Sequence, residues 1–151
     1  MGPEAEQLCQ ACGLCCDGAL FSKVPLAAGE RLPGVEGLAL TQPCPALERT
    51  GTACACRGYA ERPTACRGYQ CLLAIAFADQ EVSLPGALDV AREARRRVEA
   101  VGAALPDAGG SPMQRARSLR REGALPAAAQ APVAHAEAWL KLHFLGHGRR
   151  S

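Results

Sequence analysis

Four thiols fall within eight consecutive positions near the start of the chain, Cys9, Cys12, Cys15 and Cys16 in "CQACGLCC", and all nine cysteines lie between Cys9 and Cys71. The spacing C-x-x-C-x-x-C lets a tight turn present three thiolates to one centre, as zinc and iron–sulfur sites both require. Cys16 complicates this. Side chains of adjacent residues diverge, so Cys15 and Cys16 are expected to serve different centres, or one of them is not a ligand. Downstream the thiols recur as Cys44 in "QPCPAL" and as Cys54, Cys56, Cys66 and Cys71 in "CACRGYAERPTACRGYQC". With Cys54 set aside, eight remain, enough for two four-coordinate sites, or for one four-iron cluster and one further metal.

Charge imposes a second condition. A thiolate must lose its proton to bind a metal, so two divalent ions held by eight sulfurs leave a local charge of about −4. Cations or N–H donors are needed close by. Arg57, Arg62 and Arg67 alternate with the downstream cysteines, and Gly13, Gly58 and Gly68 allow backbone amides to approach sulfur. Arg62 and Arg67 are the stronger candidates for neutralising the sulfurs from behind.

Whether the thiols are reduced depends on compartment. The start "MGPEAEQLCQ" has neither a basic opening nor an apolar run, which reads as a cytoplasmic protein, where thiols stay reduced and bind metal more often than they form disulfides. The longest apolar stretch, Leu72 to Ala78, is far short of the ~20 residues that cross a bilayer, so no membrane association is expected. A formal charge of +2, from 17 basic and 15 acidic side chains, points to no nucleic-acid partner. The basic run "RARSLRR", with Arg115, Arg117, Arg120 and Arg121, lacks interleaved aromatics and reads as a solvated helix face.

Catalysis has little support in the residues. The cysteine-rich half contains no histidine, and its acids, Asp17, Glu48 and Glu61 among them, form no motif. His135, His143 and His147 lie far downstream. His143 and His147 have the four-residue spacing of a helical pair but lack the glutamate of a metalloprotease motif, and they read as surface residues beside a fraying end. Thiol–disulfide exchange would need C-x-x-C in a βαβ context, which the pattern does not provide.

The elements that must hold the thiols divide at Cys71. Residues 17 to 55 carry scattered Gly and Pro without a sustained period, predicting loops and short strands or turns. "CLLAIAFAD" predicts a short helix. Ser83 is a suitable N-cap and Pro85 suits a first turn, opening an amphipathic helix with Leu88, Ala91, Ala94, Val98, Val101 and Leu105 on one face and Asp89, Arg92, Glu93, Arg96 and Arg97 on the other. It should end near Gly102 to Pro106. A basic helix over Met113 to Glu122 follows, then a loop, "GALPAAAQAP", and a last helix with Val133, Ala136, Leu140 and Phe144 sharing a face and Trp139 at its margin.

Only six residues are Phe, Tyr or Trp, which leaves few large side chains for a core. The fold class expected is a small, cysteine-rich, mainly α protein with irregular loops, its metal-stabilised N-terminal half packed with C-terminal helices. Residues 1–78 form the metal-chelating region. Residues 79–151 form a helical extension within the same unit, whose helices cover the centres or engage a protein partner.

The order C-x-x-C-G-x-C-C-D-G, then P-C-P, then C-x-x-Y-x-x-R-P-x-x-C-R-x-Y-x-C resembles the bacterial cysteine-cluster family of zinc- or iron-chelating domain proteins. The resemblance covers Cys9 to Cys71, a little under half of the chain. It implies a metal-binding set of Cys9, Cys12, Cys15, Cys16, Cys44, Cys56, Cys66 and Cys71, with Tyr59, Arg62, Pro63, Arg67 and Tyr69 as framing residues. It implies zinc or iron, including an iron–sulfur cluster with a redox role, and no particular reaction. Two features depart from the family pattern: Cys54 sits two residues before Cys56, where it competes as a ligand, and Arg57-Gly58 replaces an apolar residue before Tyr59.

Overall fold

Pro3 at the first helical position and the acidic Glu4 and Glu6 in the first turn open helix α1, Pro3–Cys12, where a missing N–H costs nothing and negative charge meets the positive end of the helix dipole. Gly13 stops it. Its φ of +65 is the left-handed conformation that closes helices, and its N–H returns to the Cys9 carbonyl at 3.2 Å. The computed structural model describes residues 2–32, 34–50 and 53–145.

Two antiparallel ribbons follow. Strand β1, Lys23–Pro25, pairs with β2, Ala39–Thr41, and β3, Leu47–Thr50, pairs with β4, Ala53–Cys56. Short strands among loops and turns are what the Gly- and Pro-rich stretch led us to expect. Next come helices α2, Thr64–Gly68, and α3, Leu72–Ala78.

The long helix α4 spans Leu84–Ala103, and Ser83 caps it by accepting a hydrogen bond from the Gly86 amide at 3.1 Å. Helix α5, Pro112–Arg121, is capped in the same way by Ser111. Helix α6, Ala127–Leu140, runs into one π-helical turn, Lys141–Leu145. The chain is therefore mainly helical, with irregular connections and two small sheets among the described residues.

Two expectations about local structure are corrected. Cys9 and Cys12 stand on the last turn of α1, so a helix end followed by a turn, rather than one tight turn, carries the C-x-x-C-x-x-C spacing. The loop expected up to Pro132 ends earlier, and Pro132 lies inside α6. Burial of Ala129, Val133, Ala136 and Leu140 outweighs the roughly 3 kcal/mol that an interior proline costs.

The main core joins both halves of the sequence. Leu8, Leu14 and Ala19 from the cysteine-rich half pack in one cluster with Leu73, Val98, Val101, Met113, Leu140 and Phe144. On α4 the buried stripe is Ala87, Ala91, Ala94, Val98 and Val101. Small alanine side chains let helices α1 and α6 approach α4 closely, so the core is dense although it has few aromatic residues. A second cluster is much smaller, comprising Leu32, Leu40, Cys44 and Ala46, and it lies beneath the ribbons.

Three side chains of the C-terminal helices brace the thiol segment. Arg95 donates to the Ala11 carbonyl at 3.3 Å, Arg117 to Ala19 at 2.9 Å and Gln114 to Phe21 at 3.3 Å. They supply partners to carbonyls that no regular element satisfies. The expected solvated basic face is thus only partly solvated: Arg117 is half-buried, and Arg120 pairs with Glu137 at 2.7 Å.

Candidate metal centre

Cys9, Cys12, Cys15, Cys16, Cys44, Cys56, Cys66 and Cys71 all line one cavity of about 250 Å³, and no Asp, Glu or His is among its lining residues. Each thiol arrives there through an identifiable contact. Cys9 and Cys12 sit one turn apart on α1, and the amides of Cys16 and Asp17 both donate to the Gly13 carbonyl at 3.0 Å, winding the chain so that Cys15 and Cys16 follow directly. The Cys44 amide donates to the Cys16 carbonyl at 2.7 Å, and the buried Gln42 side chain donates to Cys15 at 2.9 Å. Gln10 on α1 accepts from the Cys56 amide at 3.1 Å, holding β4 against the helix. Cys66 lies in α2, and Cys71 caps α3, its sulfur accepting from the Ala74 amide at 3.4 Å.

Cys54 is elsewhere. It is buried, at 8% exposure, and does not line the cavity. A Cβ added at Gly13 would come within 3.1 Å of its sulfur, so Cys54 packs under the turn, whose left-handed backbone favours glycine.

The Cys15 and Cys16 sulfurs are 3.9 Å apart, which corrects the expectation that adjacent thiols splay away from each other. Their surroundings still differ. Cys12, Cys15 and Cys71 pack with the main core, whereas Cys16, Cys44, Cys56 and Cys66 pack with the small cluster under the ribbons. All nine cysteines are free thiols. They ring the cavity wall without closing on a point: among the described residues no three Cys, His, Asp or Glu side chains are placed so as to hold a metal ion.

Burial raises the pKa of most of these thiols, because a thiolate loses its hydration there. It is the leading cause at Cys9, Cys12, Cys44, Cys56, Cys66 and Cys71, and it pushes Cys66 up to about 11. At Cys16 the leading cause is the hydrogen bond with Cys15, followed by burial. Neighbouring sulfurs add to the effect: Cys71 and Cys16 act on Cys9, and Cys16, Cys44 and Cys56 act on Cys66.

Arg62 opposes the rise at Cys9, Cys16, Cys56 and Cys66. Its Nε donates to the Tyr59 carbonyl at 3.0 Å, its guanidinium lies 3.8 Å from the Tyr59 ring centre, and it lines the cavity. Arg67 does not. It is exposed on α2 and faces the region of Glu30.

The other titratable groups considered above do not line the cavity, although the Asp17 carboxylate adds to the rise at Cys12 and Cys16. Asp17 is buried, pairs with Arg49 at 2.8 Å and accepts from the Ala19 amide at 2.8 Å, so it serves the loop. His135 is exposed, while His143 is half-buried against the Trp139 ring, 4.1 Å between ring centres, which corrects its reading as a surface residue. Burial lowers the His143 pKa. His147 lies outside the described residues. The residues that sequence reasoning missed are Gln10 and Gln42, whose amides join segments 46 and 27 positions apart. Nothing in their local sequence marks that role.

Chemically, the cysteine sulfurs are the soft donors of a lining that also holds Tyr59, Tyr69 and Lys23, and soft thiolates suit zinc or iron–sulfur chemistry. Among the described residues no helix is long and apolar enough to cross a membrane. No protein-family model, curated protein or solved structure matches the chain.

Proposed function

We propose that the chain is a metal-binding protein of a reducing, cytoplasmic compartment that chelates zinc or iron through Cys9, Cys12, Cys15, Cys16, Cys44, Cys56, Cys66 and Cys71. The observation that carries this reading is that eight of nine free thiols, contributed by three helices, a turn, a loop and a strand, face one cavity with no carboxylate or imidazole on its wall. Burial and neighbouring sulfurs raise the proton affinity of these thiols. A bound cation reverses that effect. The likeness of the segment Cys9 to Cys71 to the cysteine-cluster family supports the same reading.

Zinc is the first choice, since a small fold gains stability from such a site, on the order of 10 kcal/mol in zinc-finger peptides. When bound, the metal would stabilise the thiolates and crosslink the segments that bear them. Arg62 would offset their remaining negative charge, and Gln10 and Gln42 would hold β4 and the Cys15–Cys16 turn in register. An iron–sulfur cluster with a redox or electron-transfer role is the second reading. It is favoured by thiols that ring a cavity of about 250 Å³ instead of converging in threes, an arrangement that leaves room for a group of several atoms.

Metal analysis and absorption spectroscopy on protein purified without oxygen test both readings. Stoichiometric zinc in a colourless protein supports the first, and iron with sulfide and a band near ~400 nm supports the second. A folded, metal-free preparation indifferent to added zinc or iron would refute both. Cys54→Ser should keep the full metal content, because that sulfur packs under Gly13.

A further inference from the structure

We propose that Cys15 and Cys16 form a dithiol site for a monosubstituted trivalent arsenical, R–As(OH)2, with its apolar group R lodged in the thiol cavity. This goes beyond the metal-binding reading and does not depend on it.

The geometry suits a ligand that needs two sulfurs on one atom. The Cys15 and Cys16 sulfurs lie 3.9 Å apart, whereas among the described residues no three Cys, His, Asp or Glu side chains are placed so as to hold a metal ion. Arsenic of this class makes three bonds, and R already holds one of them, so a pair of thiols completes it. Each sulfur displaces one hydroxyl. Two S–H and two As–O bonds break, two As–S bonds form, and the protons leave with the hydroxyls as two waters. Arsenic stays trivalent throughout, so the step needs neither oxidant nor reductant.

The backbone holds the pair ready. The Cys15 carbonyl accepts from the Gln42 side chain at 2.9 Å, the Cys16 carbonyl accepts from the Cys44 amide at 2.7 Å, and the Cys16 amide donates to the Gly13 carbonyl at 3.0 Å. Both residues are free thiols, only partly buried, on the cavity wall. A dithiol fixed in this way loses little freedom when the second As–S bond closes, and that bond forms at the high effective concentration of a tethered group. The pair would therefore retain the arsenical against free monothiols.

The surroundings favour an apolar arm. Cys15 packs with the main core and Cys16 with the cluster of Leu32, Leu40, Cys44 and Ala46. Leu20, Phe21, Leu47 and Phe144 line the same cavity of about 250 Å³, and an apolar cavity of about 150 Å³ already holds benzene. The bis-thiolate product is neutral, so it enters this wall without the counter-charge that buried thiolates require.

The test adds phenylarsine oxide, which hydrates to the diol, to the full reduced chain after a chelator has removed any metal. One equivalent should bind, raising the intact mass by that of phenylarsine oxide less one water, and it should resist excess monothiol yet be stripped by dithiothreitol. Alkylating the remaining thiols, stripping the arsenical and labelling the freed thiols with a second reagent should mark Cys15 and Cys16. Cys15→Ser and Cys16→Ser should each weaken binding at least about ten-fold, and Cys54→Ser should leave it unchanged. The preference for phenylarsine oxide over monomethylarsonous acid should be about ten-fold greater in the native protein than in urea, where the cavity wall is gone. Should a serine variant fail to fold, the labelling pattern and the phenyl preference of wild type decide the question. No adduct, protection of Cys9 with Cys12 or of any other pair, or a phenyl preference equal in native protein and in urea would overturn the proposal. Failure to bind zinc or iron would refute the metal-binding reading and leave this result unchanged.

Discussion

Arg62 carries the electrostatics of the thiol cavity. Stacked on Tyr59 and tied to its carbonyl, it is the cation that lowers the proton affinity of Cys9 on α1 and of Cys16, Cys56 and Cys66 around the small cluster. Removing it leaves the thiolates less compensated, so protons compete better with metal. Arg62→Ala should weaken zinc binding by about 10- to 100-fold and move the midpoint of pH-dependent uptake upward, with Arg62→Lys recovering part of the loss. Competition titrations against a chelator at several pH values measure both, and an unchanged midpoint would count against the role. The thiols also set the pH response of the metal-free fold. Cys66 holds its proton up to about pH 11, against an ordinary 9.0. Above pH 9 the unfolded chain gives up a proton that the folded chain retains, so stability is fully present below that pH and is lost between about 9 and 11. The Tm of reduced, chelator-treated protein should be level below about pH 8.5 and fall above 9; a Tm rising across that interval would contradict it.

Among the elements, α6 contains a conflict between local and tertiary preference. Pro132 removes one backbone hydrogen bond and crowds the carbonyl one turn earlier, yet the helix forms because Ala129, Val133, Ala136 and Leu140 are buried together. Pro132→Ala should therefore stabilise the protein by about 1–3 kcal/mol, read as a higher denaturant midpoint with an unchanged slope. Helix α1 has the opposite character, since its local signals agree: Pro3 and acidic residues at the start, glycine at the end. That agreement puts the last turn of α1, with Cys9 and Cys12, against the thiol turn.

Across the molecule, the C-terminal helices act as a platform for the cysteine-rich segment. Arg95, Gln114 and Arg117 donate to carbonyls of Ala11, Phe21 and Ala19, and the alanine stripe of α4 lets α1 pack closely beside them. Close approach depends on small volume. Ala94 is fully buried, and Ala94→Leu should cost about 1–3 kcal/mol through overpacking while leaving metal stoichiometry intact. Thermal melts paired with metal analysis separate the two effects. Loss of metal at constant fold would mean that the platform tunes the thiols directly.

The residue types and their intervals were enough to mark the cysteines between Cys9 and Cys71 as a cluster, to place Ala91, Ala94, Val98 and Val101 on the buried stripe of α4, though Ala87 rather than Leu88 begins it and Leu105 lies past its end, and to leave residues 17 to 55 without long regular structure, because periodicity, caps and turn residues act over a few positions along the chain. Tertiary structure alone decided that Cys54 turns away under Gly13 while Cys56 faces the cavity, that Arg62 lines it and Arg67 does not, that the vicinal sulfurs lie side by side, and that Pro132 stays helical. These outcomes depend on contacts between residues tens of positions apart, such as Gln10 with Cys56 and Gln42 with Cys15. Local sequence holds no trace of such contacts, because the free energy that selects them arises only when the distant segments pack together.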